Sequence, residues 1–309
     1  MTKNNQGLEI RELITQGNID ITNVYNKKYL SNIIRHPRSQ RPGLALAGYF
    51  KYLERNRIQI FGKTEIGYLN QLNPEERQRQ LTNFFTHKIA GVIISENQDV
   101  SQFIIPSVQS YKTPVLISKL RTSLLVSRIS TFLYRQFSKK IRVNGVLMDI
   151  MGIGTLIRGD SGIGKSETAL ELVNKGNQLI SDDLIEFYLN SNDEPVGRSI
   201  DRIKKWIEVR GLGIINIADI YGVGALMDEK KLDLVINLEK WSPKKKYDRL
   251  GEENQYYRIL GKDAPMFTLP VAPGRNLSTL IQVAVKYFIS RKNGSLSFIE
   301  HIYNQDKGK

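Results

Sequence analysis

Residues 159–166 read Gly-Asp-Ser-Gly-Ile-Gly-Lys-Ser and satisfy G-x-x-x-x-G-K-[ST] at every fixed position. Each residue type has a task in holding phosphate. Gly159, Gly162 and Gly164 let successive backbone N–H groups turn toward one anion, with Asp160, Ser161 and Ile163 completing the cradle through their main chain. A helix beginning near Lys165 adds the positive end of its dipole. Lys165 can neutralise β- and γ-phosphates, and the Ser166 hydroxyl can ligate a bridging Mg²⁺. Such a match arises by chance roughly 0.02 times in a chain like this. The loop therefore predicts binding of a nucleoside triphosphate with Mg²⁺ and leaves kinase, GTPase and motor ATPase open. The guanine-reading Asn-Lys-x-Asp is missing, because Asn174-Lys175-Gly176-Asn177 lacks the final Asp. Asp182 and Asp183 follow a short apolar run, seventeen and eighteen positions beyond Lys165. One can hold metal through water and the other can accept a proton from a hydroxyl nucleophile. An isolated Asp-Asp pair is more often a cap or turn. Its closeness to the loop favours chemistry.

These residues need rigid supports. Gly145 to Ile150 and Gly154 to Arg158 read as a strand pair feeding the loop, and Glu167 to Lys175 as a helix stopped at Gly176. The first half repeats an α/β rhythm. Arg57 to Phe61 and Ile89 to Ser95 read as strands, and Pro74 to His87 and Thr122 to Phe137 as helices. Lys139, Lys140 and Arg142 mark a boundary, giving an N-terminal α/β domain over residues 1–137 and a catalytic domain over 138–309. The run from Lys244 to Lys246 reads as a loop.

Composition narrows the classes. The 309 residues carry 40% hydrophobic and 25% charged residues, as soluble globular chains do. The weakly polar stretch from Val143 to Ile157 is too short to span a bilayer and contains Asp149. A polar start carrying Glu9 and the lack of cysteine predict a cytoplasmic protein without membrane attachment. Net charge is +14, yet the basic residues are scattered and no nucleic-acid-binding signature accompanies them. A solvated basic surface is the reading, without a nucleic-acid partner.

Further motifs extend the pattern along the chain. Arg41-Pro42-Gly43-Leu44, Gly48-Tyr49-Phe50, Ile60-Phe61-Gly62-Lys63-Thr64-Glu65 and Tyr68-Leu69-Asn70 lie in the first half. Ser166 to Leu172, Asp182-Asp183, Ile207 to Asn216, Tyr247-Asp248-Arg249-Leu250-Gly251 and Pro270 to Asn276 follow in order. In this set the sequence resembles the bacterial HPr kinase/phosphorylases over most of its length. The resemblance implies a P-loop kinase domain with a β-rich core and flanking helices behind an N-terminal regulatory or assembly domain. It implies an enzyme that phosphorylates a serine of the phosphocarrier HPr with ATP, or in some members pyrophosphate. The same enzyme removes that phosphate by phosphorolysis with inorganic phosphate. Asp183 would be the base, supported by Asp182, with Lys165 on the phosphates and Ser166 and Glu208 on Mg²⁺. Arg249 and the loop of Pro270, Val271, Ala272, Pro273, Gly274 and Arg275 would shape phosphorolysis, and the assembly would be a homo-hexamer. Without the family, Glu208 and Arg210 fit a buried ion pair as well as a metal role, and Arg275 fits a simple turn.

Two positions depart from the family pattern. Asn144 stands where a catalytic histidine is usual, and Ala272 where an arginine is common. Asparagine can hydrogen-bond phosphate or orient a carboxylate, but it carries neither proton nor charge near neutrality. The alternative that follows is an ATP-binding regulator with weakened or lost phosphorolysis.

Overall fold

The computed structural model describes residues 7–100, 102–200, 206–209, 211, 213–245, 255–272 and 274–293. The chain divides into two compact units, Met1–Ser138 and Lys139–Lys309.

In the first unit, β1 (Ile21–Tyr25), β2 (Ile58–Phe61), β3 (Gly91–Ile94) and β4 (Val115–Ser118) form a sheet in the order β1-β4-β3-β2. β2, β3 and β4 run parallel and β1 closes one edge antiparallel. The parallel strands are buried on both faces, which is why they read as unbroken apolar runs. Phe61, Val92, Ile94, Val115 and Ile117 pack under α2 (Lys63–Gln71) and α3 (Pro74–Phe85). Ile58, Ile60, Ile93 and Leu116 pack under α1 (Ile10–Gln16) and α4 (Thr122–Phe137). Local chemistry fixes the helices. Asn73 caps α3 by accepting the Glu76 N–H at 2.8 Å, with Pro74 at its first position. In α4, Leu125, Ile129, Phe132 and Leu133 make one buried stripe.

The second unit is layered differently. Its strands are β5 (Ile141–Asn144), β6 (Val146–Ile150), β7 (Ile153–Gly159), β8 (Gln178–Ser181), β9 (Leu184–Leu189), β10 (Pro195–Ser199), β11 (Trp206–Val209), β12 (Gly213–Asn216), β13 (Glu229–Lys231), β14 (Leu234–Lys240), β15 (Gln255–Ile259) and β16 (Lys262–Val271). Among the described residues a six-stranded sheet runs β8-β6-β7-β14-β16-β15, with β7, β14 and β16 parallel. A four-stranded antiparallel sheet runs β13-β10-β9-β5, and β11 and β12 form a hairpin.

Side-chain alternation sorts the layers. Val146, Met148, Ile157, Ile236 and Leu238 face α5 (Lys165–Asn174) and α6 (Leu277–Lys292), whose Ala169, Leu172, Ile281, Ala284 and Val285 fill that core. Leu147, Leu156 and Val235 face the opposite way, onto Val143, Ile185 and Phe187 of the four-stranded sheet. Each large apolar side chain buried this way contributes about 1.5–3 kcal/mol. The α/β class and the β-rich catalytic core with flanking helices agree with the sequence reading.

Candidate active site

The phosphate loop leaves β7 in the middle of the six-stranded sheet. Gly159 is its last residue and pairs with Leu238 of β14. At φ +150°, a Cβ here would stand 2.6 Å from the Leu238 carbonyl oxygen, so only glycine fits. Asp160, Ser161 and Gly162 are exposed, Ile163 anchors the loop in the core, and Gly164 caps α5. Lys165 Nζ donates to the carbonyls of Gly159 at 2.9 Å and Asp160 at 2.8 Å. Thr168 Oγ1 donates to the Gly164 carbonyl at 2.6 Å and ties the loop to the helix.

The aspartate pair meets the mouth of this loop. Ser166 Oγ donates to Asp182 Oδ1 at 3.1 Å, so the serine assigned to metal and the supporting aspartate are in contact. Burial pushes the Asp182 carboxyl up to about 6, opposed by the Ser166 hydrogen bond, raised further by Asp183 and lowered by Lys165. Asp183 is exposed and holds a left-handed φ of +74°. Its carbonyl accepts the Gly145 N–H at 2.9 Å.

Asn144 belongs to the same cluster. It pairs with Leu184 across β5 and β9, next to Asp183, and is exposed. Immediately after it the chain passes from the four-stranded to the six-stranded sheet. Gly145 makes that corner at φ +154°, where a Cβ would stand 2.7 Å from the Ile157 carbonyl oxygen. Sequence reasoning missed this role for Gly145, placing it in a strand. It also missed Arg158, half-buried just before the loop, with its guanidinium carbon 4.4 Å from the Tyr257 ring centre. A charged residue closing an apolar strand was the available signal.

Glu208 is exposed on β11, while Ile207 and Val209 face the core that holds α5. Arg210 and Arg249 lie outside the described residues, as does Pro273. The proline-rich stretch departs from expectation, because Pro270 and Val271 continue β16 and pair with Glu239 and Lys240 of β14. Parallel pairing carries the strand further than the prolines implied. The turn proper holds Ala272, Gly274 and Arg275, with the Arg275 N–H donating to the Ala272 carbonyl at 3.3 Å. Among the described residues no three His, Cys, Asp or Glu cluster as a metal cage. A divalent ion held by Ser166 and Glu208 would complete its shell with water and phosphate oxygens, the usual habit of Mg²⁺.

Known proteins resemble this sequence over nearly its whole length. The model of the HPr Serine kinase N terminus matches residues 8–133, and that of the HPr Serine kinase C-terminal domain matches residues 135–305. An HPr kinase/phosphorylase of Bacillus subtilis is 38% identical over 284 residues, 92% of this chain and 91% of its own. One from Halalkalibacterium halodurans is 42% identical over 254 residues, 82% of each chain. The solved Hpr(Ser) kinase/phosphatase of Coxiella burnetii is 32% identical, spans 50% of this chain and 93% of its own, and superposes with a TM-score of 0.46. With both domain models matched in order across nearly the whole sequence, the chain belongs to the HPr serine kinase family.

Proposed function

We propose that the chain transfers the γ-phosphoryl group of ATP to a serine of HPr and removes it by phosphorolysis, releasing pyrophosphate. The observation that carries this reading is the contact of Asp182 with Ser166 at the mouth of the loop, with Asp183 next in sequence and exposed. A hydroxyl nucleophile needs a base at the γ-phosphate, and the loop and aspartate pair supply both halves. Lys165 exchanges its bonds to Gly159 and Asp160 for phosphate oxygens. Asp183 accepts the serine proton in the forward direction and returns it to the leaving serine oxygen in reverse. Its carbonyl accepts the Gly145 N–H, which anchors the backbone that carries the carboxylate. Asp182 fixes Ser166 by accepting its hydroxyl proton in a hydrogen bond. Ser166 and Glu208 would hold Mg²⁺, which would supply neutralisation of phosphate charge. Arg249 and the turn through Arg275 serve the phosphate acceptor. The partners are HPr and nucleotide, the compartment is the cytoplasm and the assembly a homo-hexamer, as the family resemblance implies.

Incubation with purified HPr, Mg²⁺ and labelled ATP, followed by excess phosphate, tests the reading. Labelled serine, then pyrophosphate release, is expected. Nucleotide binding with no labelled serine under any condition would refute it and leave a nucleotide-binding regulator.

A further inference from the structure

The corner between the two sheets holds a peptide bond that the fold itself makes reactive. Glycine is forced at position 145 by the close approach of the Ile157 carbonyl. The residue before it is Asn144, exposed at the end of β5. An asparagine followed by glycine is open to attack by the next backbone nitrogen on its own side-chain amide, because glycine has no Cβ to block the approach. In that step the Gly145 nitrogen bonds to Asn144 Cγ, the Cγ–Nδ2 bond breaks, and ammonia leaves with the proton from that nitrogen. Water then opens the resulting five-membered imide. Opening at Cγ gives aspartate, and opening at the main-chain carbonyl gives isoaspartate, whose backbone runs through the side chain and is one carbon longer. Two contacts oppose ring closure. The Gly145 N–H donates to the Asp183 carbonyl at 2.9 Å, which keeps the proton on the attacking nitrogen. Asn144 is also paired with Leu184 in the β5–β9 ladder, pinned there by buried Val143 against Ile185.

We propose that Asn144–Gly145 is a site of spontaneous deamidation, closed while the corner is intact and open when β5 lifts from β9. Each local opening exposes the bond to conversion, so copies whose corner loosens are retired irreversibly. That conversion ends catalysis rests on the function proposed above. Aspartate at 144 adds a carboxylate beside Asp183, where anionic phosphate must pass, and isoaspartate lengthens the peptide whose N–H holds Asp183.

Peptide mass spectrometry on the full chain, aged at mildly alkaline pH, follows the conversion, with isoaspartate and aspartate separated by chromatography. Asn293–Gly294, the other Asn-Gly of the sequence, is the internal reference. In urea the two sites are expected to convert at similar rates. In the folded chain Asn144 should convert at least about tenfold more slowly than in urea, through the hydrogen bond to Asp183 and the strand pairing. Val143→Ala removes buried methyl groups beside the corner and should raise the folded-state rate at Asn144 about tenfold, leaving Asn293 unchanged. Folded-state conversion as fast as in urea would overturn the proposal, as would a rate at Asn144 that Val143→Ala leaves unmoved. Activity is read separately, as HPr phosphorylation relative to each fresh sample. In wild type it should fall in step with the unconverted Asn144, whereas aged Asn144→Gln, whose longer side chain closes its ring far more slowly, should keep its fresh rate. Equal losses in the two proteins would refute retirement by deamidation. A fresh wild type that phosphorylates no HPr counts against the proposed function instead, and the masses still decide whether the corner gates the bond.

Discussion

Replacing Asp182 with asparagine should stabilise the protein, and only above a definite pH. The Asp182 carboxyl is pushed up from 3.8 to about 6 by burial beside Asp183. The native state therefore holds this proton more tightly than the unfolded chain does. Its contribution to stability is fully present below pH 3.8 and is lost as pH rises through 6. At about 1.36 kcal/mol per pKa unit, the loss approaches 3 kcal/mol by pH 8. Asparagine keeps an oxygen for the Ser166 hydroxyl but never ionises, so Asp182→Asn avoids this penalty. The variant should exceed wild type in stability by up to about 3 kcal/mol at pH 8, with about half of that gap developing between pH 5 and 7.5. Urea unfolding followed by tryptophan fluorescence reads the right part of the molecule, because Trp206 and Trp241 both lie in the second unit. A stability difference that stays flat from pH 5 to 8 would refute the claim that burial, rather than the hydrogen bond from Ser166, governs this group.

Four further outcomes follow from the same site. Lys165→Met should weaken ATP binding by about tenfold or more, seen by calorimetric titration, whereas Asp183→Asn should leave ATP affinity unchanged and slow HPr phosphorylation about 10²–10⁴-fold. Asn144→His places a titratable cation beside Asp183 and should raise pyrophosphate release in phosphorolysis by about 10²-fold, with equal rates meaning that other groups supply the charge. Gly159→Ala forces a Cβ against the Leu238 carbonyl and should cost about 2 kcal/mol or more in denaturant unfolding, alongside a loss of nucleotide binding.

Much of the local structure was legible from the residues because its signals are local. The β6–β7 hairpin, the glycine loop and α5 follow one another within thirty residues, and each is set by turn chemistry or periodicity. The boundaries of α4, Thr122 and Phe137, could be read from a single amphipathic stripe. The sandwich was not legible. Nothing in Ile141–Asn144 announces that it pairs with Leu184–Leu189 some forty residues on, since such pairing is decided by which apolar faces find each other. The sequence could name Asn144 and Asp183 separately, yet only the β5–β9 register makes them neighbours. Pro270 misled for a related reason. A parallel partner strand outweighed its preference for a loop.

The corner between Asn144 and Gly145 has a consequence for how this protein tolerates change in length. One peptide there hands the chain from one sheet to the other while its N–H holds the backbone of Asp183. An inserted residue would invert the side-chain alternation that puts Val143 in one interior and Val146 in another, and would unseat Asp183 as well. The turn from Asn190 to Glu194, closed by its own side chain and exposed at Ser191, Asn192 and Asp193, has no such duty. Epitope tags or a permuted terminus belong there. At the corner the exposed Asn144 can be exchanged, but Gly145 cannot, and the count of residues between Val143 and Val146 is fixed.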